Sequence, residues 1–204
     1  MPTSLELYNT LYLIRAAEEG IRKYYSENEM KTPMHMSMGS EAVVVGVLSA
    51  LGAKDEVFGT YRSHALYLGK TGDTDAFFAE MYGKATGGAK GKAGSMHLSA
   101  PERGFLGTSA VVGTTIPIAA GAAFANKRAK NKKMTAVFFG EGAMDEGVFW
   151  ETINMASLWK LPLLFVCEDN GLAIHTPASE RQGHGPIEKI ISQFDFQIAT
   201  SEST

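Results

Sequence analysis

The sequence predicts an α/β protein with a mainly parallel sheet that helices cover on both faces. Two apolar segments predict this class. The unbroken run at 135–139 is typical of a strand buried on both faces, and a second buried strand is predicted at 163–167. A helical segment separates them, and a strand, a helix and a strand at this spacing form a right-handed parallel unit. The length of 204 residues favours one domain over 1–204, because a domain usually holds about 100–200 residues.

The first helix is predicted from its cap. Thr3 and Glu6 have the spacing of a capping box, and apolar residues recur at helical spacing from Leu7 to about residue 27. Further elements expected in this half are helices at 41–51 and 75–82 and a short strand at 55–61. The segment 83–94 is dense in glycine and lysine, which favours a binding loop or a mobile lid over a regular element.

The two strands of the parallel unit end in polar residues. The first strand leads to Gly140-Glu-Gly142, and the second leads to Asp169-Asn170. A helix at 146–159 is expected between them and is stopped by Leu161-Pro162. A further strand is expected at 194–199.

Composition excludes several classes of function. The formal charge is 19 − 22 = −3, and the chain has no long basic block, so nucleic acid is not expected as a partner. Cys167 is the single cysteine, which excludes a disulfide framework and favours a reducing compartment. We expect no membrane span, because no apolar stretch reaches the ~20 residues that a span requires. We expect no secretory signal, because residues 3–6 are mostly polar where a signal needs an apolar region. These features predict a cytoplasmic protein.

The carboxyl ends of two neighbouring parallel strands lie side by side. We therefore expect Glu141 and Asn170 to approach each other at the crevice where open α/β sheets bind ligands. A carboxylate and an amide oxygen suit a hard cation such as Mg2+. Gly142 and Ala143 are expected to lead into a helix amino terminus, whose free N–H groups favour phosphate. The pattern indicates a metal-bound diphosphate, although an ordinary strand-to-helix turn of a doubly wound protein has the same pattern.

A dinucleotide fingerprint is not favoured at this turn. Gly140 and Gly142 match its first two glycines, but Asp145 stands where the third glycine is needed.

These residues resemble a known family. Gly140-Glu-Gly142, followed after 26 residues by Asp169-Asn170, is similar to the thiamin diphosphate motif, usually G-D-G followed by N-N. Three further blocks match at the family's separations: Tyr61-Arg-Ser-His64, Lys90-Gly-Lys-Ala-Gly-Ser-Met-His97 and Asn154-Met-Ala-Ser-Leu-Trp-Lys-Leu-Pro162. Together they resemble the alpha subunit of the decarboxylating component of 2-oxo acid dehydrogenase complexes of the pyruvate, acetoin and branched-chain type. The resemblance runs from about residue 11 to residue 181.

The resemblance implies a thiamin diphosphate-binding fold and a set of cofactor contacts. Glu141, Asn170 and the backbone carbonyl of Leu172 would hold Mg2+ on the diphosphate of thiamin diphosphate. The backbone of Gly142 and Ala143 would contact the diphosphate itself. Two positions depart from the usual motif, because Glu141 is one methylene longer than the usual Asp and Asp169 replaces the first Asn.

Other contacts are implied upstream of this motif. Tyr61 and Arg62 would bind the cofactor, and a forked guanidinium suits phosphate oxygens. Ala110 and Val112 would lie against its aminopyrimidine end. His35 matches a histidine of the family's substrate pocket and is the candidate catalytic residue.

The resemblance also implies partners and a reaction. A small 2-oxo acid would be oxidatively decarboxylated, and the acyl unit would pass to a lipoyl-bearing acyltransferase. A separate beta subunit would supply the glutamate that activates the cofactor, in a heterotetramer of two alpha and two beta subunits. Family members continue past residue 204, so a truncated subunit is expected. Two alternatives stay open: the amino-terminal subunit of a split transketolase, and a cofactor-binding fragment that is catalytically incomplete.

Overall fold

The computed structural model describes residues 2–30 and 32–202, and the chain divides into two compact units, Met1–Val111 and Val112–Thr204. Each unit contains a pair of parallel strands and several helices, so the α/β class and the parallel pairing are confirmed. The single domain expected over 1–204 stays a prediction. Within the described residues, no helix is both long and apolar enough to span a bilayer.

The first unit contains four helices and two strands within its described residues. In chain order they are α1 (Ser4–Tyr24), α2 (Glu41–Ala50), β1 (Glu56–Thr60), α3 (His64–Thr71), α4 (Thr74–Met81) and β2 (Phe105–Ser109). The capping box is confirmed, because Glu6 N–H donates to Thr3 Oγ1 and Thr3 N–H donates to the Glu6 carboxylate. α3 and β2 were not expected. α3 begins at the last residue of the Tyr61-Arg-Ser-His64 block, so His64 is the first residue of a helix that follows the strand closely.

The core of the first unit lies between its helices and the parallel pair of β1 and β2. Val57 pairs with Phe105 and Thr60 with Ser109. Phe105 is fully buried, and its ring packs against Tyr67 of α3, which in turn contacts Phe77 of α4. This packing explains α3: its buried face completes the core, which a short helix needs for stability.

The glycine- and lysine-rich segment 83–94 has no helix or strand, as predicted. It is anchored by the carboxylate of a residue that precedes it in the chain. Glu80, at the end of α4, is buried and accepts hydrogen bonds from four backbone N–H groups, those of Ala89, Gly91, Ala93 and Gly94. Gly87 is required here because a Cβ at this position would lie 2.6 Å from the Glu80 Cα. The segment is thus wrapped around an internal anion, and those four N–H groups are already used.

The second unit contains the predicted strand–helix–strand. Its elements are α5 (Thr115–Ala129), β3 (Thr135–Gly140), α6 (Gly147–Leu158), β4 (Leu163–Glu168), β5 (Leu172–Ala173), β6 (Thr176–Pro177), α7 (Ala178–Arg181) and α8 (Ile187–Ile191). β3 and β4 pair in parallel from Thr135 with Leu163 to Gly140 with Glu168, so both strands end at the same edge. The first five residues of β3 are buried, as expected of a central strand.

Two expectations for this unit are wrong. β4 is not a buried strand, since Leu164 is 40% exposed and Cys167 is also exposed; among the described strands it pairs with β3 on one side only. The residues 194–199 form no strand, and Phe196 instead packs its ring on Phe165. As expected, Gly142 and Ala143 lead toward the amino terminus of α6, and they do so through a 3-10 helix, Glu141–Asp145.

Candidate functional site

Glu141 stands at the carboxyl edge of the parallel pair in the second unit. It follows β3 directly and opens the 3-10 helix, and only 4% of its side chain is exposed. Asn170 follows β4 by two residues at the same edge. The parallel register therefore brings together the two elements that carry the predicted metal ligands, as the spacing of the motif predicts.

A short hairpin packs against the 3-10 helix at this edge. β5 and β6 are antiparallel, with Leu172 paired to Pro177. A Cβ on Gly142 would lie 2.8 Å from the Cβ of Ala173, closer than two such atoms can approach. Glycine at position 142 thus lets β5, and with it the Leu172 carbonyl, approach the turn that carries Glu141.

The residues between β4 and the hairpin form two consecutive side-chain turns. Asp169 Oδ1 accepts a hydrogen bond from Gly171 N–H at 2.8 Å, and Asn170 Oδ1 accepts one from Leu172 N–H at 2.9 Å. Asp and Asn form such turns readily because their short side chains reach the backbone two residues ahead. Asp169 in place of the usual Asn is therefore compatible with the local backbone.

Arg181, which the sequence patterns did not single out, holds the Glu141 carboxylate. Its Nη2 donates to Glu141 Oε1 at 2.7 Å, its Nη1 pairs with Asp145, and its Nε donates to the Thr176 carbonyl at 3.2 Å. Arg181 lies 40 residues from Glu141 along the chain, so no local pattern links them. The one available signal was Glu141 itself, because a carboxylate that is buried after a strand needs a cationic partner somewhere in the chain.

The protonation of Glu141 depends on this cation. Burial raises the pKa of Glu141, Arg181 opposes that rise, and the neighbouring charge of Asp169 adds to it. A cation beside Glu141 therefore stabilises its charged form. The carboxylates of Glu141 and Asp169 make this edge of the second unit acidic.

A cleft of about 380 Å³ opens at this acidic edge, entirely within the second unit. Glu141, Asp169 and Glu188 contribute acidic side chains to its lining, together with Gln182 and His184. A bare diphosphate would be repelled by these carboxylates. A cation bound to them would reverse the local charge and allow an anionic ligand to bind.

The donor set at this edge fits a magnesium ion. Glu141 offers a carboxylate, Asn170 an amide oxygen and Leu172 a backbone carbonyl, and hard oxygen donors are what Mg2+ prefers. Among the described residues no group of three or more His, Cys, Asp or Glu side chains forms a metal cage, and this mixed set does not require one. In the structure Glu141 bonds to Arg181 and Asn170 to the Leu172 N–H.

Three predicted residues come together in the first unit. The rings of His35 and Tyr61 meet edge to face, with centroids 5.0 Å apart. Arg62 lies over the Tyr61 ring at 5.8 Å and donates from Nη1 to the Met36 carbonyl at 2.7 Å. His35 Nδ1 is buried with no hydrogen-bond partner among residues 2–30 and 32–202. An unsatisfied buried ring nitrogen is the kind of group that a bound ligand satisfies.

A buried polar network behind His35 was missed by the sequence patterns. His64 Nε2 lies 2.7 Å from Ser95 Oγ, and its Nδ1 lies 3.2 Å from both oxygens of Glu18. Ser95 Oγ also accepts a hydrogen bond from the His35 N–H, and Glu18 accepts one from the Ser37 N–H. The network thus fixes the backbone on both sides of the His35 ring.

Ala110 and Val112 lie between β2 and α5, where the two units divide. Ala110 is half-buried in the first unit, and Val112 is exposed and begins the second unit. The predicted cofactor contacts are therefore distributed over both units: Tyr61, Arg62 and Ala110 in the first, and Val112 with the residues around Glu141 and Asn170 in the second.

The sequence matches known proteins along most of its length. The pattern of the dehydrogenase E1 component family matches residues 9–188. The chain is 37% identical over 174 residues to the alpha subunit of acetoin:2,6-dichlorophenolindophenol oxidoreductase from Bacillus subtilis, covering 85% of this chain and 52% of that protein. It is 38% identical over 181 residues to the pyruvate dehydrogenase E1 component subunit alpha of Zymomonas mobilis, covering 88% of this chain and 51% of that protein.

Solved structures share the fold. Transketolase from Leishmania mexicana superposes with a TM-score of 0.66 at 15% identity, over 95% of this chain and 31% of that one. A proposed thiamin diphosphate-dependent enzyme from Mycobacterium smegmatis gives 0.52 at 17% identity, over 82% of this chain and 28% of that one. The chain spans about half the length of the curated relatives it matches. The match over residues 9–188 shows that the chain belongs to the dehydrogenase E1 component family.

Proposed function

We propose that the chain acts as the alpha subunit of a thiamin diphosphate-dependent 2-oxo acid dehydrogenase of the pyruvate, acetoin or branched-chain type. The observation that carries the proposal is the edge of the second unit where Glu141 and Asn170 follow paired parallel strands and Gly142 lets the hairpin approach them. A small 2-oxo acid is decarboxylated, and the acyl unit passes to a lipoyl group on a partner acyltransferase. A beta subunit completes the enzyme as a heterotetramer.

The residues around Glu141 hold the diphosphate end of the cofactor. Glu141, Asn170 and the Leu172 carbonyl would hold Mg2+, whose charge would offset the acidic edge, and the backbone of Gly142 and Ala143 would contact the diphosphate. When bound, thiamin diphosphate would supply a nucleophilic carbon for the keto group and an electron sink for the loss of carbon dioxide.

The residues of the first unit orient the reactants. Arg62 binds a cofactor phosphate through its forked guanidinium, and Tyr61 packs beside it. His35 offers its unsatisfied Nδ1 to the substrate carboxylate or carbonyl as a hydrogen-bond donor. The buried network of His64, Ser95 and Glu18 holds His35 in place, which limits the reorganisation needed when substrate binds.

A split transketolase is the second candidate, and the TM-score of 0.66 shows that the chain shares the fold of the Leishmania enzyme. That likeness supports the fold alone. The match of residues 9–188 to the dehydrogenase E1 component supports the dehydrogenase assignment.

Calorimetric titration of thiamin diphosphate, with and without Mg2+, tests the proposal. We expect binding that requires Mg2+ and that Glu141→Ala weakens at least about tenfold, because the metal loses its only carboxylate ligand in the proposed set. Glu151→Ala is the matched control, since Glu151 is an exposed carboxylate on α6 and should bind as the parent does.

A second arm of the titration adds the candidate beta subunit. Metal-dependent binding that appears only in this arm still supports the proposal and shows that the cofactor site needs both subunits. A folded parent that binds no cofactor in either arm, or a Glu141→Ala variant that binds as tightly as the parent, would contradict it.

A further inference from the structure

We propose that the Arg181 guanidinium is an internal counter-cation of the metal site, which must leave Glu141 before Mg2+ can bind there. The inference rests on the proposed role of Glu141 as a metal ligand. It goes further by naming the group on this chain that controls access to that ligand.

The contacts of Arg181 show how closely it is held. Its side chain is only 13% exposed, and its guanidinium bonds two carboxylates at once, those of Glu141 and Asp145. Its Nε bonds the Thr176 carbonyl of β6, and the neighbouring Gln182 side chain donates to Asp145 at 3.2 Å. Arg181 thus ties α7 and the hairpin to the 3-10 helix that begins with Glu141.

Arg181 and a divalent cation exclude each other at Glu141. Both would bind the same carboxylate, whose side chain is 4% exposed, and two cations so close repel strongly because little water screens them. A Glu141 carboxylate with no cation beside it is also unfavourable, because a buried unpaired charge carries a large desolvation penalty. The Glu141 carboxylate is therefore satisfied by one cation at a time, either the guanidinium or the metal.

The exchange also links the metal to the hairpin. Leu172, which offers the proposed carbonyl ligand, lies on β5, and Arg181 holds β6 through Thr176. If the metal replaced the guanidinium, the bonds from Arg181 to Glu141 and Asp145 would be lost, and the Leu172 carbonyl would become a ligand of the metal. Metal affinity therefore includes the cost of breaking the Arg181 bonds.

Direct metal binding tests this exchange without any measurement of activity. Mn2+ is used as the probe, and free Mn2+ is followed by electron paramagnetic resonance with the parent chain, Arg181→Gln, Arg181→Lys and Arg128→Gln. Arg128 is an exposed arginine on α5 that lies over the Phe124 ring, so its variant removes the same charge away from the site. We expect Arg181→Gln to bind Mn2+ about 10- to 100-fold more tightly than the parent, because the competing hydrogen-bonded ion pair is gone. The Mn2+ affinity of Arg181→Lys should lie between those of the parent and Arg181→Gln, and the affinity of Arg128→Gln should equal that of the parent.

Thermal unfolding supplies a second readout. Without metal, Arg181→Gln should melt below the parent, because Glu141 then has no cation. Saturating Mg2+ should raise the melting temperature of Arg181→Gln more than that of the parent, since ligand stabilisation follows affinity. Arg181→Lys retains a cation and keeps the comparison available if the glutamine variant does not fold.

Each other outcome is decisive. Equal or weaker Mn2+ binding by the Arg181 variants overturns the exchange, and if Glu141→Ala still abolishes binding, the proposed metal site stands without it. Absence of Mn2+ binding by every variant overturns the exchange, and the titration of thiamin diphosphate with the candidate beta subunit then decides whether the proposed metal site stands.

Discussion

The Glu80 carboxylate shows how one residue organises a long irregular segment. It is 2% exposed and accepts four backbone N–H groups at 2.6–3.1 Å, from Ala89 to Gly94. A carboxylate is suited to this because it is an acceptor at both oxygens. Two glycines and two alanines supply the donors, so the backbone can close around the anion.

Replacing Glu80 by glutamine should destabilise the chain by about 2–4 kcal/mol, because an amide presents N–H donors where the backbone also donates. Glu102→Gln, at an exposed glutamate of the same unit, is the control and should change the free energy of unfolding by less than about 0.5 kcal/mol. Urea unfolding at neutral pH measures both. Equal stability of the Glu80→Gln variant and the parent would contradict the anchoring role.

The contribution of Glu80 should also depend on pH. Burial raises the pKa of Glu80, but the four backbone hydrogen bonds lower it more, so the pKa of Glu80 lies below its ordinary value of 4.5. A carboxyl group with a lowered pKa in the folded state stabilises the protein above its unfolded pKa and loses this effect as pH falls through the folded value. The stability difference between the parent and Glu80→Gln should therefore be constant above about pH 5 and shrink in more acidic solution.

Among the elements, the 3-10 helix 141–145 and the β5–β6 hairpin depend on each other. The strands and α6 fix the positions of Glu141 and Asn170. The position of the hairpin determines whether the Leu172 carbonyl lies close to these two residues. The contact that matters is the close approach of Ala173 to Gly142. Two strands of two residues each contribute little stability on their own, so this approach depends on packing against the turn.

Gly142→Ala should weaken Mg2+-dependent binding of thiamin diphosphate about tenfold or more, because the new Cβ would lie 2.8 Å from that of Ala173 and push the hairpin away. Gly121→Ala is the control, since a Cβ at this position of α5 meets nothing within 4 Å. That variant should bind the cofactor as the parent does and be up to about 1 kcal/mol more stable. Calorimetric titration and thermal unfolding report the two effects. Unchanged binding by Gly142→Ala would show that the hairpin contact does not align the site.

For the molecule as a whole, activity should require a second subunit. The chain spans about half the length of its curated relatives, and the family resemblance assigns the glutamate that activates the cofactor to a beta subunit. We expect decarboxylation of a 2-oxo acid to be at least about 100-fold faster when the candidate beta subunit is added, the usual contribution of a general acid–base group. Release of carbon dioxide from pyruvate and branched-chain 2-oxo acids measures this rate.

Ketol transfer from a sugar phosphate, assayed in the same mixture, separates the dehydrogenase from a split transketolase. Transfer without decarboxylation would favour the transketolase. Turnover of a 2-oxo acid by the chain alone would contradict the two-subunit enzyme.

Local patterns along the chain are enough to predict the strand–helix–strand unit and the position of the motif. The strand at 135–139 and the helix that follows were predictable because buried strands and amphipathic helices impose their own spacing on apolar residues. The apolar run at 163–167 predicted the position of the second strand but not its exposure. The parallel register followed from their order, and with it the placement of Glu141 and Asn170 at one edge. The cap of α1 was predictable for the same reason, since its two partners are three residues apart.

Contacts between residues that are distant along the chain could not be predicted in this way. The pairing of Arg181 with Glu141, the hydrogen bonds of Ser95 and Glu18 to His64, and the exposure of β4 leave no periodic trace in the sequence. Short elements such as α3 and the hairpin form because neighbouring residues pack on them. Periodicity reports the face that an element buries, whereas the charge that meets a buried carboxylate depends on how the chain folds back on itself.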